Sequence, residues 1–265
     1  MFLSNSEINN LKIAGSVLKK NVLNYNEVEE IKKIIKLAPE GKGGDGTNYP
    51  VNFSNFLSKC LKFEFKKIKN SFFLLNLKNK FNLDEAASNF FERKSNLTMI
   101  DGYYNKPGNK EILPWHSDQA YSGAKFVNKI ASPDYFFLKF FFYLTNVGSK
   151  NGCTSYIPES HKITYAVRSC LYEKIIEYEP FWELRDLVNL ISKENNKDKI
   201  ISKLKSKNEL DSFMDKANLI LSNSENSTFD FQADPGDLLI FNECGIHKGS
   251  EPSLNERVAL RYLYF

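Results

Sequence analysis

The run Tyr135-Phe136-Phe137-Leu138-Lys139-Phe140-Phe141-Phe142-Tyr143-Leu144 limits what this chain can become. It is too short to cross a bilayer, and Lys139 interrupts it. Aromatic side chains at successive positions favour a strand over a helix. They are apolar on both faces, so the strand over Tyr135–Val147 must be covered on both sides, and a place in the middle of a sheet is expected. Other strands are predicted around it: Leu97–Tyr104, Cys153–Ile157 after an Asn151-Gly152 turn, Phe231–Asn242 and Arg257–Phe265. Pro235-Gly236 has the form of a type II turn. With 22 Phe and 13 Tyr, the chain has the side chains for a broad aromatic interior.

Helices are expected on either side of this strand system. Leu11–Leu23 reads as a short strand broken at Gly15. Asn26 then caps a helix, with Glu29 in capping-box position and Val28, Ile31 and Ile35 along one face, and Pro39 stops it. Residues 39–50 hold Gly41, Gly43, Gly44 and Gly46 without the closing residues of a phosphate-binding loop. They read as a connection or as a mobile flap over the site. Helical patches follow at Phe53–Leu57 and Asp84–Arg93. Residues 163–221 have helical spacing, as in Leu184, Leu187, Leu190 and Ile191, and read as two to four helices inserted between strands. The expected class is mainly β with helices (α+β). One sheet system on both sides of the insert implies a single domain over residues 1–265.

Charge and cysteine usage exclude several roles. The net charge of +4 is spread over lysines interleaved with acids, as on a solvated surface, and no basic stripe with interleaved aromatics marks a nucleic-acid track. Cys60, Cys153, Cys170 and Cys244 have neither zinc-ligand nor disulfide spacing, so reduced thiols in a cytoplasmic setting are expected. The first residues lack a basic region followed by an apolar run, so no signal peptide is read. A small-molecule substrate is expected, with no nucleic-acid or membrane partner, and the oligomeric state is left open.

Leu113-Pro114-Trp115-His116-Ser117-Asp118 carries the chemistry. In a strand, residues i and i+2 share a face, so His116 and Asp118 can hold one metal ion together. A second histidine, His247, follows Pro235-Gly236-Asp237 and an apolar strand. Two histidines and one carboxylate form the three-ligand face of non-heme Fe(II) oxygenases, which leaves positions for cosubstrate and O2. His161, just after a strand, is set aside as a ligand. Alternation places Arg257, Ala259 and Arg261 on one face of the last strand. A guanidinium there matches the far carboxylate of a dicarboxylate such as 2-oxoglutarate. Lys139 either reaches the surface or faces the pocket and meets an anionic group. Phe181, Trp182, Tyr172 and Tyr178 either line a substrate pocket or pack within the insert.

Over most of its length the chain resembles the phytanoyl-CoA dioxygenase (PhyH-like) family of Fe(II)/2-oxoglutarate oxygenases. The resemblance rests on Leu11–Leu37, Lys106-Pro107-Gly108, Leu113–Asp118, Asn151-Gly152, Ile157–Lys162, and Gly236-Asp237 through His247 to Arg257. It implies a double-stranded β-helix (jelly-roll, cupin-like) core. It also implies Fe(II) on His116, Asp118 and His247, and 2-oxoglutarate on Arg257, with Tyr103 or Asp101 as a second polar contact and Arg261 as the alternative arginine. The chain departs from the family pattern at Glu159, at Lys248 after the distal histidine, and at Phe141 where tryptophan is usual. Asp118 in the carboxylate position implies hydroxylation or a related C–H oxidation over halogenation. Two alternatives stay open: a non-catalytic jelly roll that binds metal or a small acid, and a cupin-type metalloenzyme that does not use 2-oxoglutarate.

Overall fold

The computed structural model describes residues 2–37, 46–108, 113–118, 132–223 and 227–265. Ser4 accepts from the Glu7 amide while Glu7 accepts from the Ser4 amide, and this capping box starts α1 (Asn5–Ala14). Gly15 ends α1 in the left-handed region at φ 85°, and β1 (Ser16–Lys19) follows. The strand expected over Leu11–Leu23 is therefore a helix end and a short strand, with Gly15 as the helix cap between them. In α2 (Tyr25–Lys36) the cap is Asn24 with Glu27, two residues before the expected pair, and Val28, Ile31 and Ile35 face the core as predicted. After β2 (Thr47–Tyr49) come α3 (Phe53–Leu61), α4 (Phe65–Lys80) and α5 (Leu83–Phe91). The sequence reading missed α4. The proposed flap lies largely at residues 38–45, outside the described residues.

The strands are β3 (Leu97–Asn105), β4 (Leu138–Tyr143), β5 (Thr154–Tyr156), β6 (Leu238–Asn242), β7 (His247–Gly249) and β8 (Arg257–Tyr264). Four helices fill the insert: α6 (Ser160–Tyr172), α7 (Leu184–Ser192), α8 (Asn196–Ile201) and α9 (Lys207–Ser222). The six-stranded sheet has the order β1-β6-β4-β8-β3-β2 with antiparallel pairing throughout, so the aromatic strand β4 is interior, as its two apolar faces require. A second sheet pairs β5 with β7. Bridges His116↔His247, Ser155↔Asp230 and Val147↔Ala233 extend this second layer. Gly236, at φ 98°, makes the Pro-Gly turn before β6.

Period-2 alternation sorts the large sheet into two faces. Leu138, Phe140 and Phe142 of β4, Leu238 and Ile240 of β6, and Val258, Leu260, Tyr262 and Tyr264 of β8 pack against α1, α2, α4 and α5. Phe141, Tyr143, Leu239, Phe241 and Ala259 point to the other face, toward the second sheet, where Tyr156 and Cys153 complete a smaller aromatic core. The insert has a core of its own, built on Ile163, Val167, Phe181, Leu187 and Phe213. Among the described residues, no helix is long and apolar enough to cross a membrane.

Candidate metal centre

The inner face of the large sheet and the edge of the second sheet converge on His116, Asp118 and His247. His116 and His247 are bridge partners: each amide donates to the other's carbonyl at 2.9 Å, and the ring centroids are 4.5 Å apart. Asp118, two residues on, shares the His116 face. Its Oδ1 lies 3.3 Å from His116 Nε2 and its Oδ2 lies 3.2 Å from His247 Nε2. One donor atom from each residue falls within 4.8 Å of the others.

Local contacts fix which ring nitrogens face the centre. His116 Nδ1 is 2.7 Å from the Pro114 carbonyl and His247 Nδ1 is 2.9 Å from the Gly245 carbonyl. A carbonyl only accepts, so both Nδ1 atoms carry the proton and both Nε2 lone pairs point at the centre. Burial pushes His247 down to about 4, against the opposing pull of Asp118, which keeps the ring neutral at ordinary pH. Burial alone raises the Asp118 carboxyl. The Lys139 ammonium against it outweighs burial and holds that carboxyl well below the usual range. Two imidazole nitrogens and an ionised carboxylate fit an Fe(II)-type ion.

The segment carrying His116 and Asp118 forms an isolated bridge and no strand, and the insert helps to hold it in place. Ser117 N–H donates to the Trp182 carbonyl at 3.1 Å, Leu184 N–H donates to the Trp115 carbonyl at 2.8 Å, and the Trp182 ring lies 5.1 Å from the His116 ring. Of the four aromatics proposed for a pocket, Phe181 is fully buried in the insert core, Tyr178 packs against that core, Tyr172 is exposed, and Trp182 meets the His116 ring.

A cavity of about 160 Å3 opens beside the three residues, lined in part by Lys139, Phe141, Lys248, Arg257 and Arg261. The two arginines differ. Arg261 is bound to Asp101 through Nε at 2.8 Å and Nη2 at 2.7 Å, and the Tyr103 hydroxyl donates to the same carboxylate at 2.9 Å. Arg257 faces the Phe141 ring at 5.4 Å, and its buried Nε has no hydrogen-bond partner among the described residues. A buried unpartnered guanidinium nitrogen is costly unless an anion meets it. Arg257 Nε is thus left without a partner among the described residues beside the cavity, while Tyr103 and Arg261 are engaged with Asp101.

His161 stands apart from the cluster, with Nε2 donating to the Lys12 carbonyl at 3.1 Å. Of the two readings of Lys139, the inward one holds, and one neighbour of it, Glu243, was not read from the sequence. Lys139 faces inward and contacts Asp118, and buried Glu243 lies 3.5 Å from the Lys139 ammonium. Glu243 directly follows an apolar strand, and that signal was available in the sequence.

The sequence model of the phytanoyl-CoA dioxygenase (PhyH) family matches residues 14–258. The chain belongs to that family. No curated protein matches the sequence. Among solved structures, the fold of this PhyH-family chain is similar to the 2-oxoglutarate-dependent carbocyclase SnoK from nogalamycin biosynthesis, with TM-score 0.57 and 14% identity over 99% of this chain and 83% of that one. It is similar to HygX from Streptomyces hygroscopicus, solved with nickel and 2-oxoglutarate, with TM-score 0.56 and 14% identity over 99% and 86%. AviO1 from Streptomyces viridochromogenes Tue57 gives TM-score 0.54 and 12% identity over 100% and 95%. At these identities the likeness establishes the fold, a cupin-like double-stranded β-helix.

Proposed function

We propose that this PhyH-family protein is an Fe(II)- and 2-oxoglutarate-dependent oxygenase that hydroxylates a small organic molecule and releases succinate and CO2. The observation that carries the reading is the pairing of a two-histidine, one-aspartate donor set with an unpartnered buried arginine nitrogen in one cavity. His116, Asp118 and His247 would hold the ion, and Arg257 would anchor the far carboxylate of the cosubstrate. Bound there, the iron supplies the activation of O2 and the oxidising power; the chain supplies ligation, orientation and a shielded cavity. The carbonyls of Pro114 and Gly245 keep the imidazoles in the ligating tautomer, and Phe141 keeps the Arg257 guanidinium directed along the cavity.

SnoK and SnoN, a carbocyclase and an epimerase, share this fold, so ring closure and epimerisation are the alternative outcomes of the same kind of C–H oxidation. Asp118 fills the carboxylate position and supports oxygen transfer over halogenation. The insert pins the metal segment through Trp182 and Leu184, which supports one working domain over residues 1–265. The cysteine pattern supports a cytoplasmic setting.

The test is oxoglutarate turnover. Protein loaded with Fe(II) under nitrogen and then exposed to O2 should convert 2-oxoglutarate to succinate, read by NMR, even without substrate. Asp118→Ala should abolish it. Absence of turnover together with absence of oxoglutarate binding would favour a non-catalytic metal-binding jelly roll.

A further inference from the structure

Lys139 is a cation with no way out of the fold. It lies on an interior strand, opposite Phe241 on one side and Leu263 on the other, and its side chain is 7% exposed. Its ammonium contacts Asp118 Oδ2, lies 3.5 Å from Glu243 Oε2, and sits 5.4 Å over the Phe241 ring. The oxygen it contacts is the one that faces His247 Nε2 at 3.2 Å. An ion held by both Nε2 atoms and Asp118 therefore shares its only carboxylate with an ammonium.

We propose that Lys139 is a positioning residue that divides the Asp118 charge with the metal ion, so that the site holds a bare divalent cation loosely and takes it firmly only together with a 2-oxo acid. This rests on the function proposed above. Like charges a few ångströms apart inside a protein repel strongly, and Glu243 offsets only part of that repulsion. Among the described residues the cavity is short of negative charge: Lys139, Lys248 and Arg257 line it against Asp118, while Asp101 is engaged by Arg261. A chelating dicarboxylate supplies the missing charge next to the ion. The same ammonium that repels the cation attracts the incoming carboxylates, and metal and oxo acid then raise each other's affinity by one common factor.

Two titrations test this, Ni(II) into metal-depleted protein and 2-oxoglutarate into the Ni(II)-loaded protein, each by calorimetry. Lys139→Met should bind Ni(II) about tenfold tighter and 2-oxoglutarate about tenfold weaker than wild type. Lys139→Arg, which keeps the charge, should stay near wild type for the metal. A merely structural role weakens both ligands together. That pattern, or unchanged Ni(II) affinity in folded Lys139→Met, overturns the proposal. Should Lys139→Met fail to fold, Glu243→Gln reads the same balance with opposite sign. Loss of the offsetting carboxylate should weaken Ni(II) binding, and equal or tighter binding overturns the proposal. Wild type that takes up no Ni(II) overturns the metal-centre reading and this inference with it, whereas wild type that binds Ni(II) and is indifferent to residue 139 overturns this inference alone.

Discussion

His116 and His247 face each other across an antiparallel bridge, each amide donating to the other's carbonyl at 2.9 Å. Residues remote in sequence thus become a directly opposed, hydrogen-bonded cross-strand pair, with backbone hydrogen bonds setting the ring separation before any metal arrives. Loss of either ring removes a first-rank donor. His116→Ala and His247→Ala should each weaken Ni(II) or Mn(II) binding by more than about 100-fold, beyond the range expected for losing an outer partner. Metal titration of the folded variants checks this, and succinate formation should disappear with the metal.

The two arginines of β8 should separate by phenotype. Arg257→Ala should raise the KM for 2-oxoglutarate at least about tenfold while the fold stays intact, because its buried Nε makes no hydrogen bond among the described residues. Arg261→Ala leaves the buried Asp101 carboxylate without its bidentate partner, which costs about 3–5 kcal/mol of stability. Denaturant midpoints and steady-state kinetics tell the two apart. The reverse assignment, with KM rising in Arg261→Ala, shifts the anchor by four residues along β8.

The β architecture was legible because its signal is local. Aromatics at successive positions mark β4, and alternation along Arg257–Arg261 marks the inward face of β8. Helix α1 was hidden because Gly15, its left-handed cap, reads equally as a break in a strand. Helix α4 escaped because its apolar residues do not keep to one face: Leu74 and Leu77 are buried while Phe72 between turns is exposed. The donor triad was readable from spacing and order. The division of labour between Arg257 and Arg261 was not, because it depends on the register that sets Asp101 opposite Arg261. Lys139 was visibly odd in its strand, but its partner comes from a segment that only the folded sheets bring against it.

Gly245 is a second point where the site depends on close packing. A Cβ there would fall 1.9 Å from the Tyr156 hydroxyl, which donates to the Asn242 carbonyl at 3.2 Å. The Gly245 carbonyl also holds His247 Nδ1. Gly245→Ala should therefore cost about 1–3 kcal/mol through overpacking and, by moving that carbonyl, weaken metal binding about tenfold. Thermal melts and Ni(II) titration read the two effects. A variant with wild-type metal affinity would mean that the 245–247 turn absorbs the added methyl without moving the ring.

Acid should unfold the metal-depleted protein in a window set by its buried histidines. Burial pushes His161 down to about 4, with the hydrogen bond to the Lys12 carbonyl opposing only part of the effect, and His247 is pushed down to about 4 in the same way. In the unfolded chain both rings protonate near the ordinary 6.5. Between those values the unfolded state binds the extra protons, so stability is whole above about pH 6.5 and falls as pH drops toward 4. Each ring contributes on the order of 3 kcal/mol to that loss. His161→Leu, which removes a ring outside the metal cluster, should flatten the slope of unfolding free energy against pH by about half while leaving Ni(II) affinity at neutral pH unchanged. Denaturant melts in the presence of a chelator, taken at steps between pH 7 and pH 4, measure the slope. An unaltered slope in His161→Leu would mean that His161 is already protonated in the folded protein.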